Sequence, residues 1–191
     1  TNSTFTGNSS ATSNTNGGIG SASNATIEGN TLTNSGLIQV RGYGTTVTNN
    51  VISGASGSAA IYGNIEEGNV LISNNQISDN NTDGIEISYL YWEPGVATIS
   101  GNTIVRNTGN GIKVNNGGRT NQTINITGNF IADNSKNGLY LNPGDPEINV
   151  SYNRIHNNSA TDGSAIYVNN SSPATDITIE YNTITGGTGT S

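Results

Sequence analysis

The chain has 191 residues, which fits one domain, and it carries a formal net charge of −7 with only 10% charged residues. It has no basic patch to neutralise phosphates, which argues against nucleic acid as a partner. No apolar run approaches the ~20 residues that a membrane helix needs. Because the chain has no Cys, disulfides and thiolate metal sites are excluded.

A chain rich in Asn, Ser, Thr and Gly, without Cys or Met, suits an extracellular or cell-surface location. About eight glycosylation sequons would arise by chance in such a composition, so the observed number permits a glycoprotein without predicting one. The ten Asn-x-Ser/Thr sequons begin at Asn2, Asn8, Asn24, Asn80, Asn121, Asn125, Asn149, Asn157, Asn169 and Asn170.

In chain order, residues 1–23 show a faint pattern and residues 24–185 show a clear repeat of the form I/V-x-x-N-x-I/L. The seven copies are IEGNTL at 27, VTNNVI at 47, ISNNQI at 72, ISGNTI at 99, ITGNFI at 126, VSYNRI at 150 and IEYNTI at 179. Each of the first six copies is followed by a short alternating run, such as GIEI at 84. The central Asn residues lie 20 to 29 positions apart, which is the period of a solenoid.

The repeat predicts an all-β parallel β-helix of about seven to eight coils, formed as a single domain over residues 1–191. A leucine-rich repeat would need a leucine-dense signature, and a propeller blade needs four strands in about 40 residues. Residues 1–23 then form a degenerate first coil, in which Phe5 precedes Leu32 by 27 positions and Ile19 supplies a later strand. Residues 24–185 form the regular coils, and residues 186–191 form a Gly/Thr/Ser tail. Neither end shows an obvious cap.

Within each motif the two aliphatic residues and the Asn should point inward. Stacked coils place equivalent residues ~4.8 Å apart, so the central Asn residues can form a structural ladder of amide hydrogen bonds. The predicted ladder is Asn30, Asn50, Asn75, Asn102, Asn129, Asn153 and Asn182. The residue before the Asn is Gly or Asn in five copies, which favours a left-handed bend. Tyr152 and Tyr181 in the last two copies do not fit this expectation.

The I-x-x-N-x-I motif resembles the repeats of the pectate-lyase-like superfamily, in the style of its Asn-ladder surface proteins, over about residues 24–185. The resemblance implies a right-handed β-helix, in a group that includes polysaccharide lyases, hydrolases, epimerases, phage tailspikes and adhesins. The signatures of the enzymes are poorly matched. NTD at 81–83 resembles the Asn-Thr-Asp element of pectin hydrolases, but no Asp pair or Gly-His-Gly follows it, and the Asp-Pro-His segment of alginate-type epimerases is missing.

No catalytic site is predicted. If the chain is an enzyme, four residues are the candidates for its catalytic site. Aligned coils place Asp79, Arg106 and Asp133 on adjacent coils, with His156 close to the next. Two carboxylates and a cation so arranged resemble a lyase or epimerase site. The same spacing also gives an alternating-charge ladder, which avoids like-charge contacts between coils. The ladder is the prediction, and whether the chain is an enzyme stays open.

A second column of outward residues contains Gln39, Tyr62, Glu86, Lys113, Tyr140 and Tyr167. Glu86 should pair with Lys113 and Tyr140 should stack on Tyr167, which is a structural pattern. No cofactor or metal is predicted. Calcium at the turns NTDG at 81 and ATDG at 160 is the alternative, although each turn offers one carboxylate and Ca²⁺ takes about 6–8 oxygen ligands.

The longest variable segments join the third strand of one coil to the next coil, so a β-helix places them along one edge. They hold exposed aromatic and charged residues of the kind that contact glycans or proteins. The predicted binding residues are Tyr43, Tyr89, Tyr91, Trp92, Glu93 and Arg119.

Uncapped solenoid ends expose strand edges that invite pairing with another chain, and a head-to-tail contact that does not close gives a filament. The sequence therefore predicts an extracellular structural β-helix that assembles with copies of itself into a filament or surface layer. Residues 1–10 of one copy should approach residues 179–191 of the next. The alternatives are a lyase-like or epimerase-like polysaccharide-active domain and a glycan-binding adhesin or spike module of a larger protein. The expected partners are copies of the chain and glycans.

Overall fold

A computed structural model describes residues 4–6, 18–20, 23–41, 44–65, 68–88, 94–118, 122–160, 165–169 and 176–187. These ranges contain 22 β-strands and no helix. In chain order the strands are β1 (Thr4–Thr6), β2 (Ile19–Gly20), β3 (Thr26–Glu28), β4 (Thr31–Thr33), β5 (Ile38–Arg41), β6 (Thr45–Thr48), β7 (Val51–Ser53), β8 (Ala59–Asn64), β9 (Val70–Ser73), β10 (Gln76–Ser78), β11 (Asp83–Ser88), β12 (Gly95–Ser100), β13 (Thr103–Val105), β14 (Ile112–Gly118), β15 (Gln122–Thr127), β16 (Phe130–Ala132), β17 (Leu139–Gly144), β18 (Glu147–Ser151), β19 (Arg154–His156), β20 (Ile166–Val168), β21 (Ile177–Glu180) and β22 (Thr183–Thr185).

Every third strand belongs to the same parallel sheet, so each full coil contributes one strand to each of three sheets. Sheet A has the eight strands β1, β4, β7, β10, β13, β16, β19 and β22. Sheet B has the seven strands β2, β5, β8, β11, β14, β17 and β20, and sheet C has the seven strands β3, β6, β9, β12, β15, β18 and β21. The predicted right-handed parallel β-helix is confirmed. Its first pairings align Phe5 with Leu32 and Ile19 with Ile38.

Rows of aliphatic side chains fill the space between the three sheets. In sheet A, one inward row of equivalent positions is Leu32, Ile52, Ile77, Ile104, Ile131 and Ile155, and all are at most 1% exposed. Alternate residues of these strands, such as Gln76 and Thr103, point into solvent. Burying one such aliphatic side chain contributes about 1.5–3 kcal/mol. A coil cannot bury its row alone, so its stability depends on the neighbouring coils.

The predicted Asn ladder is present between sheets C and A. Each Nδ2 donates to the Oδ1 of the Asn one coil further along the chain at 2.9–3.0 Å, and the same Oδ1 accepts the preceding ladder residue's backbone N–H. A second ladder follows sheet A and was not predicted. It joins Asn80, Asn107, Asn134 and Asn158 at 2.8–2.9 Å. Asn80 is fully buried, so its sequon cannot carry a glycan in the folded protein.

Left-handed residues mark two corners of every regular coil. The column before the first ladder has φ of 55–66° at Gly29, Asn49, Asn74, Gly101, Gly128, Tyr152 and Tyr181. The expectation that the two Tyr residues would not fit the left-handed bend is therefore wrong, because both adopt it. Their rings stack at 5.2 Å with an interplanar angle of 13°, and such a contact offsets part of the ~1–2 kcal/mol that a side chain adds to this conformation.

The last described coil leaves inward positions uncovered. Ile179 and Ile184 are 43% and 48% exposed, whereas the equivalent Val150 and Ile155 of the preceding coil are 0% and 1% exposed. Within the described ranges, no helix is long and apolar enough to cross a membrane.

Candidate functional site

The predicted binding residues cannot be placed. Tyr43, Tyr89, Tyr91, Trp92, Glu93 and Arg119 all lie outside the described residues. The segments that hold them run from a strand of sheet B to the next strand of sheet C, as β11 and β12 show. The edge predicted from the sequence is therefore the corner between sheets B and C.

The four alternative catalytic residues lie at or beside the corner that follows sheet A. Asp79, Arg106 and Asp133 all have a left-handed backbone there. Arg106 grips Asp79 through two hydrogen bonds, Nε to Oδ1 at 2.8 Å and Nη2 to Oδ2 at 2.7 Å. Hydrogen bonding from Arg106 holds the pKa of the Asp79 carboxyl below its ordinary value. The pair is more than half exposed, so salt and water screen it.

Asp133 and His156 have other partners. Asp133 Oδ1 accepts a hydrogen bond from Asn157 Nδ2 at 2.7 Å. The His156 ring places Nδ1 3.0 Å from Thr185 Oγ1, on the following coil. Of the predicted charge ladder, the described residues thus form the ion pair between Arg106 and Asp79, whereas the partner of Asp133 is a neutral amide.

A groove of about 480 Å³ lies between this corner and the outer face of sheet B. Its walls come from the turns that connect sheets A and B and from β11, β14 and β17. The lining residues are Asp83, Asn110, Lys113, Ser135, Lys136, Asn137, Tyr140, Ser159 and Ala160. Polar side chains with both donors and acceptors therefore face a common space.

A third ladder of polar side chains lines this groove, with its amides pointing the other way. Asn110 Nδ2 donates back to Asp83 Oδ1 at 3.0 Å, and Asn137 Nδ2 donates back to Asn110 Oδ1 at 3.3 Å. The backbone N–H groups of Asn110 and Asn137 donate to the same oxygens. Glycine follows each rung, and at Gly111 a Cβ would collide with Ile131 and the carbonyl oxygen of Gly138.

The last described rung of this third ladder has a buried acceptor. Asn137 is 3% exposed, and its Oδ1 is buried with no hydrogen-bond partner. The equivalent position on the next coil is residue 164, which lies outside the described residues. A buried carbonyl oxygen without a donor costs about 1–3 kcal/mol.

Beside the ladder, two buried carboxylates share one ammonium group. Lys113 Nζ lies 3.1 Å from Glu86 Oε1 and 3.7 Å from Asp83 Oδ2. Desolvation raises the pKa of Glu86, although the charge of Lys113 opposes it. Burial acts to lower the pKa of Lys113, but Glu86 and Asp83 outweigh it and the pKa is raised. The predicted Glu86–Lys113 pair is present, and its burial was not predicted.

The groove is also lined by a second cation and by one aromatic ring, those of Lys136 and Tyr140. Lys136 is exposed, and the described carboxylates form no ion pair with it. Tyr140 packs on Tyr167 as predicted, with ring centroids 5.5 Å apart and a tilt of 31°. The Tyr140 hydroxyl accepts a hydrogen bond from Asn169 Nδ2 at 3.4 Å. Lys136 and Asn137 were missed by the sequence prediction, although the recurrence of Asp83-Gly, Asn110-Gly and Asn137-Gly every 27 residues would have indicated them.

The two turns of the calcium alternative differ in what the structure describes. Asp83 of NTDG is already engaged by Asn110 and Lys113, and the second turn, ATDG, has its Asp outside the described residues. No group of three or more His, Cys, Asp or Glu side chains that could hold a metal occurs among the residues that the structure describes.

Three parallel sheets closed into a coil, with internal amide ladders and a polar groove on one side, define a β-solenoid protein. The family model for the right-handed β-helix region matches residues 1–127 and 119–191. The chain belongs to this right-handed β-helix family.

A solved structure similar to this chain is the periplasmic alginate epimerase AlgG, with a TM-score of 0.52 and 14% sequence identity. The match covers 90% of this chain and 47% of AlgG, so the chain spans about half the length of that protein. At this identity the likeness shows the fold alone. A search of curated proteins gave no match.

Proposed function

We propose that the protein is an extracellular or cell-surface β-helix that binds a polysaccharide in the groove beside sheet B. The observation that carries the proposal is the groove of about 480 Å³ itself, in which the aromatic Tyr140 lies among the polar side chains of Asn110, Ser135 and Lys136. Sugars present many hydroxyl donors, and sites that recognise them combine such polar groups with an aromatic surface. Tyr140 offers that surface in the same groove.

The other groove residues suit the same ligand. Ser135 and Ser159 bring hydroxyl groups, and Lys136 brings a positive charge that is not paired with a described carboxylate. The similar structure AlgG is a periplasmic alginate epimerase. This likeness supports a polysaccharide as the ligand here. Binding is proposed instead of catalysis because Asp79 and Asp133, the candidate catalytic carboxylates, do not line the groove.

The proposal is tested by calorimetric titration with alginate oligosaccharides and with a neutral glucan oligosaccharide. We expect Lys136→Ala to weaken alginate binding about fivefold and Tyr140→Ala to weaken binding of both probes about tenfold, the losses of one screened ion pair and one aromatic contact. Tyr152→Ala is the matched control, because this exposed Tyr lies at the corner between sheets C and A. Failure of every probe to bind, or equal losses in all three variants, would refute the proposal.

We propose self-assembly of the rod as a second function, because its last described coil exposes apolar side chains. Ile179 and Ile184 expose almost half of their surface at positions that are buried elsewhere. Asn182 Oδ1 accepts a hydrogen bond from Asn153 Nδ2, and Asn182 Nδ2 donates to the carbonyl oxygens of Val150 and Glu180. Among the described residues, no further Asn of the ladder accepts a hydrogen bond from Asn182. The first coil of a second copy would cover these side chains and continue the sheets. Such stacking would give a filament.

A further inference from the structure

We propose that Glu86 is a specificity-determining positioning residue, which decides whether the groove takes a neutral or a carboxylated glycan. An ionised Glu86 holds Lys113 against sheet B and leaves a groove without excess charge. A neutral Glu86 frees Lys113 to pair with a carboxylate of the ligand. This inference rests on the proposed glycan-binding function and names the ligand class for each state of the groove.

The geometry places Glu86 behind the groove and Lys113 in its wall. Glu86 is 6% exposed and does not line the groove, whereas Lys113 does. The ammonium group is the physical link, since Nζ lies 3.1 Å from Glu86 Oε1. Any change in the charge of Glu86 therefore reaches the ligand through the position and the free charge of Lys113.

The groups around Glu86 are few. On β8 its neighbour is Tyr62, and on β14 its neighbour is Lys113. Asp83 lies on the same strand as Glu86 and acts on it through its charge. Tyr140 of β17 is adjacent to Lys113 in the sheet. Among these described neighbours of Glu86, Lys113 is therefore the one with a positive charge.

The charge of the groove depends on this one carboxyl. Asp83, Glu86, Lys113 and Lys136 are two acids and two bases, so their charges cancel when all are ionised. Protonating Glu86 leaves one positive charge in excess. Asp83 is a weaker tether than Glu86, because its Oδ2 lies 3.7 Å from Lys113 Nζ and its Oδ1 is occupied by Asn110. Loss of the Glu86 charge thus removes the shorter of the two ion pairs that Lys113 forms.

As the pH falls, Glu86 takes up its proton before the carboxylate of a sugar does. Desolvation raises the pKa of Glu86 above its ordinary 4.5, so the proton is taken up as the pH falls through that higher value. A sugar carboxyl beside an electron-withdrawing oxygen titrates at about 3.5, like an α-carboxyl group. Lys113 stays protonated throughout, since its pKa is raised. Between these values Glu86 is neutral while the ligand is still an anion.

The experiment compares the wild-type protein with Glu86→Gln, using alginate oligosaccharides and a neutral glucan oligosaccharide at pH 7.5 and at pH 4.5, the ordinary pKa of a Glu carboxyl. We expect the wild-type protein to bind the carboxylated probe about fivefold more tightly at the lower pH, the effect of one partly screened ion pair. Glu86→Gln should show the tighter binding at both pH values. Affinity for the neutral probe should stay within about twofold, because no ion pair to the ligand is formed.

His156→Gln is the control, because His156 does not line the groove, and it should keep the wild-type pH profile. A carbon NMR titration of Glu86 in the wild-type protein gives a readout that does not depend on the variant folding, and its midpoint should match the step in affinity. The inference is overturned if Glu86→Gln keeps the wild-type profile or if the two midpoints differ. If neither probe binds the wild-type protein, the proposed function fails first.

Discussion

At the scale of the residue, Asn102 shows what a buried amide must satisfy in this fold. Its Nδ2 donates to the Ile72 carbonyl and to Asn129 Oδ1, and its Oδ1 accepts from both the backbone and the side chain of Asn75. Every polar atom of the side chain is paired although the residue is 1% exposed. The ladder therefore serves stability, and its members need no other role.

Replacing this amide should be costly. We expect Asn102→Ala to lower the free energy of unfolding by about 3 kcal/mol or more, because at least two buried groups on neighbouring coils lose their partners. Asn81→Ala is the matched control at an exposed Asn and should change stability by about 0.5 kcal/mol or less. Urea denaturation measures both. Similar losses in the two variants would mean that the ladder contributes little.

At the scale of the element, glycine has two different functions in the turns. Gly128 has φ of 66° and open space around the position of a Cβ. At Gly111 the space is filled by Ile131 and by the backbone of Gly138. Glycine is therefore favoured at 128 by the backbone conformation and at 111 by the close packing of adjacent coils.

The two glycines should respond differently to substitution. Gly128→Ala should cost about 1 kcal/mol, the strain of a Cβ in a left-handed residue, and Gly128→Asn less, since Asn49 and Asn74 occupy the same column. Gly111→Ala should cost more than about 2 kcal/mol, because a rigid backbone atom must move. Thermal unfolding of the three variants decides the order. A larger loss at Gly128 would show that strain outweighs overlap.

At the scale of the whole molecule, the rod gains its stability from contact between coils, and its last described coil has a neighbour on one side only. Solenoids are stabilised by such nearest-neighbour contacts, and an exposed terminal coil is a site for association or fraying. The exposed Ile184 lies on this coil face.

Association through this face should depend on Ile184. We expect the wild-type chain to increase in mass with concentration in light scattering, and Ile184→Lys to remain monomeric, because a charge cannot be buried between stacked coils without a partner. Val51→Lys is the control, since Val51 is an exposed apolar residue on an outward position of sheet A. A wild-type chain that stays monomeric at high concentration would argue against self-assembly.

The sequence by itself determined the coil. The motif repeats in every regular coil, so the inward Ile rows, the ladder through Asn102 and the pairing of Glu86 with Lys113 could all be predicted from spacing. Stacked strands place equivalent positions side by side, and this local rule is sufficient. The left-handed column was predicted for Gly and Asn by the same reasoning, and it failed at Tyr152 because ring stacking between coils opposes the strain.

The tertiary structure decided where a ligand could bind. The burial of Glu86, the reversed ladder from Asp83 to Asn137 and the groove between sheets A and B do not follow from the motif. They depend on how turns of similar length pack against the outer face of sheet B. Burial and an unpaired acceptor are properties of that packing, summed over several coils, and no single repeat contains them. The same is true of the exposed Ile184, which is identical in sequence pattern to Ile155 and differs from it by the absence of a described coil beyond it.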